Sequence, residues 1–199
     1  NNQQFLLSAS PERYLKKVGE RLISQPIKGT AQRFLDAVED EKSKNQLASD
    51  PKERAENIMI TDLVRNDLSR TAQQNSVQVE ELCAVYSFLQ VHQMISTITS
   101  KLDSQYSVIE AIKSSFPMGS MTGAPKVSAM KISEELEETK RGLYSGAVGY
   151  FTPTADFDFN VVIRSILYHQ ENKYVSFSVG SAITAQSVPE KEYEECILK

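Results

Sequence analysis

Two histidines and two cysteines in 199 residues leave little for a soft metal to bind. His92 and His169 make no histidine-rich site, and Cys83 and Cys196 lie far apart without metal-ligand spacing. Any metal is therefore expected to be a hard cation held by carboxylates. The two thiols read as free and reduced, which points to the cytoplasm. No apolar run is long enough to span a bilayer, and no secretory signal pattern is present. The formal net charge is −4 with the acids scattered, so neither nucleic acid nor an anionic membrane is indicated as a partner. Internal repeats and low-complexity linkers are missing as well. What is present is 40% apolar content over a length that suits one globular domain with a real core. The chain opens close to the strand-like Phe5-Leu6-Leu7 and closes at Lys199 inside an apparent helix, so it is expected to be a fragment of a longer chain.

The chain reads as strands with helices between. Residues 4–9 and 20–25 have strand character and flank a partly extended Ser10–Leu15. Pro26-Ile27-Lys28-Gly29-Thr30 follows, and its proline and glycine predict a sharp turn. Residues 36–49 are polar and read as an exposed helix or loop. Asp50-Pro51 offers an N-cap and a first-turn proline for a helix to about Leu68. Residues 76–79 and 83–102 are strand-like. Ser107-Val108-Ile109-Glu110 is a capping-box pattern for a helix to about Ser115. A loop rich in glycine, proline and hydroxyls, residues 116–126, leads into another helix. Strands are expected at 145–152, 157–169 and 173–180, the last two joined in a hairpin around Glu171-Asn172. Pro189 starts a final helix. The fold class expected is α+β with antiparallel sheets.

Several residues carry candidate chemistry. Lys28 lies between an apolar residue and a glycine, where desolvation would free its amine as a nucleophile. Glu12 follows a proline and projects from a defined position. Glu56 sits at the edge of the apolar stripe of its helix, as a boundary residue or a buried ligand. His92 and Ser96 have an even separation and would share a strand face. The loop at Thr122-Gly123-Ala124 meets a helix N-terminus, a natural carboxylate or phosphate site, although the spacing is not that of a P-loop. Arg164 lies in an otherwise apolar strand and should face solvent, an acid or an anion. Gly180-Ser181-Ala182 permits close approach of backbone to a ligand. Glu192, Glu195 and Lys199 share a helix face.

Taken together, Ser10-Pro11-Glu12-Arg13, Pro26-Ile27-Lys28-Gly29-Thr30, Arg54-Ala55-Glu56-Asn57, Asp62-Leu63-Val64-Arg65-Asn66-Asp67, Gly119 through Lys126 and Glu192-Tyr193-Glu194-Glu195 resemble the chorismate-utilising enzymes. The resemblance covers essentially all of residues 1–199. It implies antiparallel sheets stacked face to face with helices outside and an active site in a cleft. The lysine at position 28 resembles the branch that aminates chorismate at C4 for para-aminobenzoate and folate synthesis; anthranilate synthases have alanine there and are the alternative, with a non-catalytic ligand-binding fragment as a third.

The resemblance also implies roles. Mg²⁺ would be held by Glu56 and Glu195, with Glu192 nearby or through water. Thr122, Gly123 and Ala124 would bind the ring carboxylate of chorismate, with Lys199 near it. Arg164, Gly180 and Tyr150 would hold the enolpyruvyl carboxylate. Lys28 would attack C2, Glu12 would protonate the departing C4 hydroxyl, and His92 would lie near C4. Ammonia from a glutamine amidotransferase subunit would then add at C4. Glu12 would need a raised pKa for this role. The sequence departs from the family at Gly180-Ser181-Ala182, where Gly-Gly-Gly or Gly-Ala-Gly is usual.

Overall fold

The computed structural model describes residues 3–185 and 187–198. Ten strands, five α-helices and a short 3₁₀ turn are arranged in an α+β fold among these residues, with every strand pair antiparallel. The strands are β1 (Gln4–Ser8), β2 (Arg13–Val18), β3 (Arg21–Gln25), β4 (Ile27–Gln32), β5 (Gln78–Ser87), β6 (Val91–Lys101), β7 (Ala147–Phe151), β8 (Phe157–Val161), β9 (Ser165–His169) and β10 (Tyr174–Phe177). The α-helices are α1 (Ala37–Ser49), α2 (Pro51–Ser69), α3 (Val108–Ser115), α4 (Lys126–Leu136) and α5 (Pro189–Leu198). Seven strands form one sheet, with the path β4-β6-β3-β2-β8-β7 and β5 on the far side of β6. The remaining three pair in the order β1-β9-β10.

The long strand β6 organises the larger sheet. One side of it pairs with β5, while β3 and β4 follow each other along the other side. The pairs Ser24↔Ile98 and Ile27↔Ile95 share one register. Pro26 therefore does not turn the chain. Its carbonyl accepts from the Ser96 N–H, and the backbone runs on into β4. The sharp turn expected at Pro26–Thr30 is instead a bulge between Ile27 and Thr30 within an extended segment. A proline costs no ladder bond where its nitrogen is not needed as a donor.

Two other expectations are corrected. The run 83–102 is not one strand: it is the end of β5, a tight connection and β6, whose turn residues Phe88-Leu89-Gln90 include no glycine, proline or asparagine. The run 157–169 is also split. Arg164 has φ +49, and the chain leaves the large sheet after β8 and enters the small one at β9. The 36–49 segment is helical, capped by Asp36, and the β9–β10 hairpin lies where Glu171-Asn172 placed it.

The caps of the helices follow the local sequence. Asp50 accepts from Lys52 N and Glu53 N at the start of α2, and Ser107 and Glu110 form the reciprocal capping box of α3. Leu22 and Ile98 of the sheet pack with Ile60, Val64 and Leu68 of α2 in the main core. Asn57 pins α2 to β6 by donating to the Met94 carbonyl at 3.2 Å and accepting from the Ser96 hydroxyl. Both cysteines are free, and no described helix is long and apolar enough to cross a membrane.

Candidate active site

Glu12 stands at the entrance to β2. Its carbonyl accepts from Val161 N at 3.0 Å, and the neighbouring Arg13 is anchored to Asp158 at 3.0 Å. The side chain is only 5% exposed. Burial pushes its carboxyl above the usual value, and this outweighs the hydrogen bonds from Ser120 and the Ile27 backbone and the nearby charge of Lys28. Glu12 thus reaches across to the bulged strand that carries Lys28, which is half-buried. The Glu12 carboxyl lies within electrostatic reach of the Lys28 ammonium and accepts a hydrogen bond from the Ile27 backbone.

Gly29 makes this placement possible. Its φ is +91, and a Cβ there would lie 3.0 Å from Leu47 Cδ1 and 3.2 Å from Glu53 Oε2. The bulge is therefore pressed against the end of α1 and the start of α2, one residue from Lys28. It also joins the Glu12–Lys28 pair to a group of carboxylates.

That group comprises Glu53 and Glu56 of α2 and Glu192 and Glu195 of α5. Burial, then the negative charge of Glu56, raises the Glu53 carboxyl above its usual range, and Glu195 is also within electrostatic reach. Glu56 is 8% exposed, and its Oε1 is buried without a hydrogen-bond partner. Ser181 donates to both Glu192 and, at 2.7 Å, Glu195. Lys52 donates to Glu192 Oε1 at 3.1 Å. Burial pushes Glu192 up, but the Ser181 and Lys52 hydrogen bonds hold it below its usual value. Ser181 thus supplies a hydroxyl that gathers Glu192 and Glu195 of α5.

Glu53 and Lys52 escaped the sequence reading, and Ser181 was read there for its small size and not for its hydroxyl. Only Glu53 had a visible signal, its three-residue spacing from Glu56. The donor set is all hard oxygen with one orphaned buried carboxylate atom, which suits a hard divalent cation in kind. Among the described residues, however, no three acidic, histidine or cysteine side chains converge as a finished metal site.

The loop at residues 119–125 lies on the other side of Glu12, and its Ser120 supplies the hydrogen bond noted above. Thr122 closes the short 3₁₀ turn by bonding to the Met118 carbonyl, and Gly123 has φ +136. Pro125 caps α4 with no side-chain bond, so the first N–H groups of that helix are not taken by a capping side chain. Lys126 does not face this loop's outer side. It donates to Asp67 of α2 at 2.5 Å, which joins two of the motifs as structure.

Gly180 and Arg164 come together around Tyr144. A Cβ on Gly180 would lie 2.6 Å from the Tyr144 hydroxyl, and the Arg164 charge acts on the same phenol. Tyr150 lies on β7 opposite Asp158, with its side chain exposed. His92 shares the helix-covered face of β6 with Ser96, as its even spacing implied. It is fully buried, with Nδ1 and Nε2 engaged by Ser87 at 2.9 Å and Asp40 at 3.1 Å. Lys199 lies outside the described residues.

The family described as chorismate binding enzyme matches the chain over residues 1–199, and the chain belongs to that family. Its relatives give a closer bearing. It is 46% identical to aminodeoxychorismate synthase of Arabidopsis thaliana over 200 residues, which cover 100% of this chain and 22% of that protein. It is 42% identical to aminodeoxychorismate synthase component 1 of Escherichia coli, over 97% of this chain and 42% of the relative. The solved anthranilate synthase component I of Streptococcus pneumoniae superposes with a TM-score of 0.88 at 34% identity, over 100% of this chain and 43% of that one. The chain thus spans between a fifth and a half of the length of the relatives it matches.

Proposed function

We propose that residues 1–199 are the chorismate-binding catalytic part of an aminodeoxychorismate synthase, converting chorismate and ammonia to 4-amino-4-deoxychorismate for para-aminobenzoate and folate synthesis. The observation that carries this reading is buried Glu12 within electrostatic reach of Lys28, its carboxyl raised by burial. In the reading, the Lys28 amine forms a bond to C2 while the bond from C4 to its hydroxyl oxygen breaks. Glu12 gives its proton to that hydroxyl, which leaves as water. Ammonia then bonds to C4, the C2–nitrogen bond breaks, Lys28 is released, and Glu12 recovers a proton from the added nitrogen. Splitting one displacement into two lowers each barrier.

Glu56, Glu192 and Glu195, with Glu53, would hold Mg²⁺, which when bound supplies charge neutralisation for the ring carboxylate. Thr122, Gly123 and Ala124 present backbone to the same carboxylate, and Arg164 and Gly180, with Tyr150, to the enolpyruvyl group. A glutamine amidotransferase subunit delivers the ammonia, in keeping with the component naming of the Escherichia coli relative. Reduced Cys83 and Cys196 suit a cytoplasmic setting.

The test is product identification. The full-length protein is mixed with chorismate, ammonium and Mg²⁺, and the product assigned by mass and NMR. C4 amination with the enolpyruvyl group retained supports the proposal. Anthranilate with pyruvate release overturns it in favour of the reading suggested by the Streptococcus pneumoniae structure.

A further inference from the structure

Lys52 lies between the carboxylates that would hold a cation. Its ammonium is 3.1 Å from Glu192 Oε1 on α5 and 3.9 Å from Glu56 Oε1 on its own helix. The second distance is too long for a hydrogen bond, so Lys52 compensates the buried Glu56 oxygen by charge alone. Glu53 adds another negative group to the same neighbourhood. Glu56 and Glu192 are buried, and such carboxylates stay ionised together only at a cost that a nearby positive charge offsets. The Lys52 side chain, by contrast, is 38% exposed and projects from the first turn of α2. A compact charge on a flexible stem can leave for solvent at little cost.

We infer that Lys52 is an internal counter-cation that competes with a divalent cation for Glu56 and Glu192. Without the divalent ion, Lys52 bridges α2 and α5. When the ion binds, the carboxylates close on it and the ammonium is released to solvent. Exchange for a monovalent ion would replace one single charge by another and gain nothing, so only divalent ions release Lys52. The inference rests on the reading of these acids as metal ligands.

The experiment measures metal binding by the full chain without substrate. MgCl₂ is titrated calorimetrically and Mn²⁺ is followed by electron paramagnetic resonance, for wild type, Lys52→Met and Lys52→Arg. A partly exposed ion pair is worth up to about a factor of five, so Lys52→Met should tighten divalent binding about fivefold while Lys52→Arg stays close to wild type. Lys52→Met should also melt lower than wild type in EDTA and recover more on adding MgCl₂. Binding by Lys52→Met alone would likewise support the inference. Equal or weaker binding by Lys52→Met overturns it and leaves the metal reading intact. No divalent binding by any of the three overturns both.

Discussion

The Lys126 ammonium meets the buried Asp67 carboxylate at 2.5 Å and donates also to the Ser115 carbonyl at 3.1 Å. One cation thus ties the end of α2, the end of α3 and the start of α4. Asp67 keeps one buried oxygen without a partner. Burial raises its carboxyl despite the Lys126 bond. Removing one member of such a pair strands the other charge. Lys126→Met should cost about 3–5 kcal/mol in urea unfolding, and Asp67→Asn combined with it should cost much less than the sum of the two single changes. Additive costs would show that the pair is not coupled.

Gly29→Ala tests the bulge. A Cβ there meets Leu47 and Glu53 at a backbone φ of +91. The change should destabilise by about 1–3 kcal/mol. It should also depress amination more than an equally destabilising core change such as Ile60→Val, because the strain falls beside Lys28. Equal losses would separate the bulge from the chemistry.

Lys28→Ala should abolish C4 amination while chorismate still binds. Intact-mass spectrometry of rapidly quenched wild-type protein should show a covalent adduct that maps to Lys28. The adduct should be missing from Lys28→Ala and Lys28→Arg. An adduct that survives in Lys28→Ala would place the nucleophile elsewhere.

As the proposed general acid, Glu12 would act while protonated. Its folded pKa is above the usual 4.5, so activity should fall as pH rises through the raised value. Glu12→Gln should lower turnover about 10²–10⁴-fold and remove that limb of the profile. The same group is linked to stability. Between 4.5 and its folded pKa, the folded protein holds a proton that the unfolded chain has released, so stability drops as pH rises across this window. Glu12→Gln should flatten the drop in a pH series of urea melts. An unchanged slope would mean that Glu12 is ionised in the folded protein.

Gly180→Ala tests the contact with Tyr144, where a Cβ would come within 2.6 Å of the phenol oxygen. The expected result is a raised KM for chorismate, with partial recovery in the double variant with Tyr144→Phe. A KM equal to wild type would remove this contact from substrate binding.

By itself the sequence determined the features that depend on near neighbours. Asp50-Pro51 and Ser107–Glu110 cap their helices from within a single turn, so the starts of α2 and α3 were legible. The family was legible too, and its motifs single out Glu12, Lys28, Glu56, Glu192 and Glu195 as candidates. Tertiary structure decided the rest, because the deciding contacts join residues far apart in the chain. Pro26 reads as a turn until β6 is there to pair on both sides of it. Arg164 gives no sign that the chain changes sheets at its positive φ, since an arginine adopts that conformation only when the surrounding structure imposes it. His92 reads as an isolated imidazole until α1 brings Asp40 to it. The same holds for the acids. Spacing places each pair on one helix face, but only the packing of α5 near α2 puts Lys52 and Ser181 among them and raises the carboxyl of Glu53 by burial.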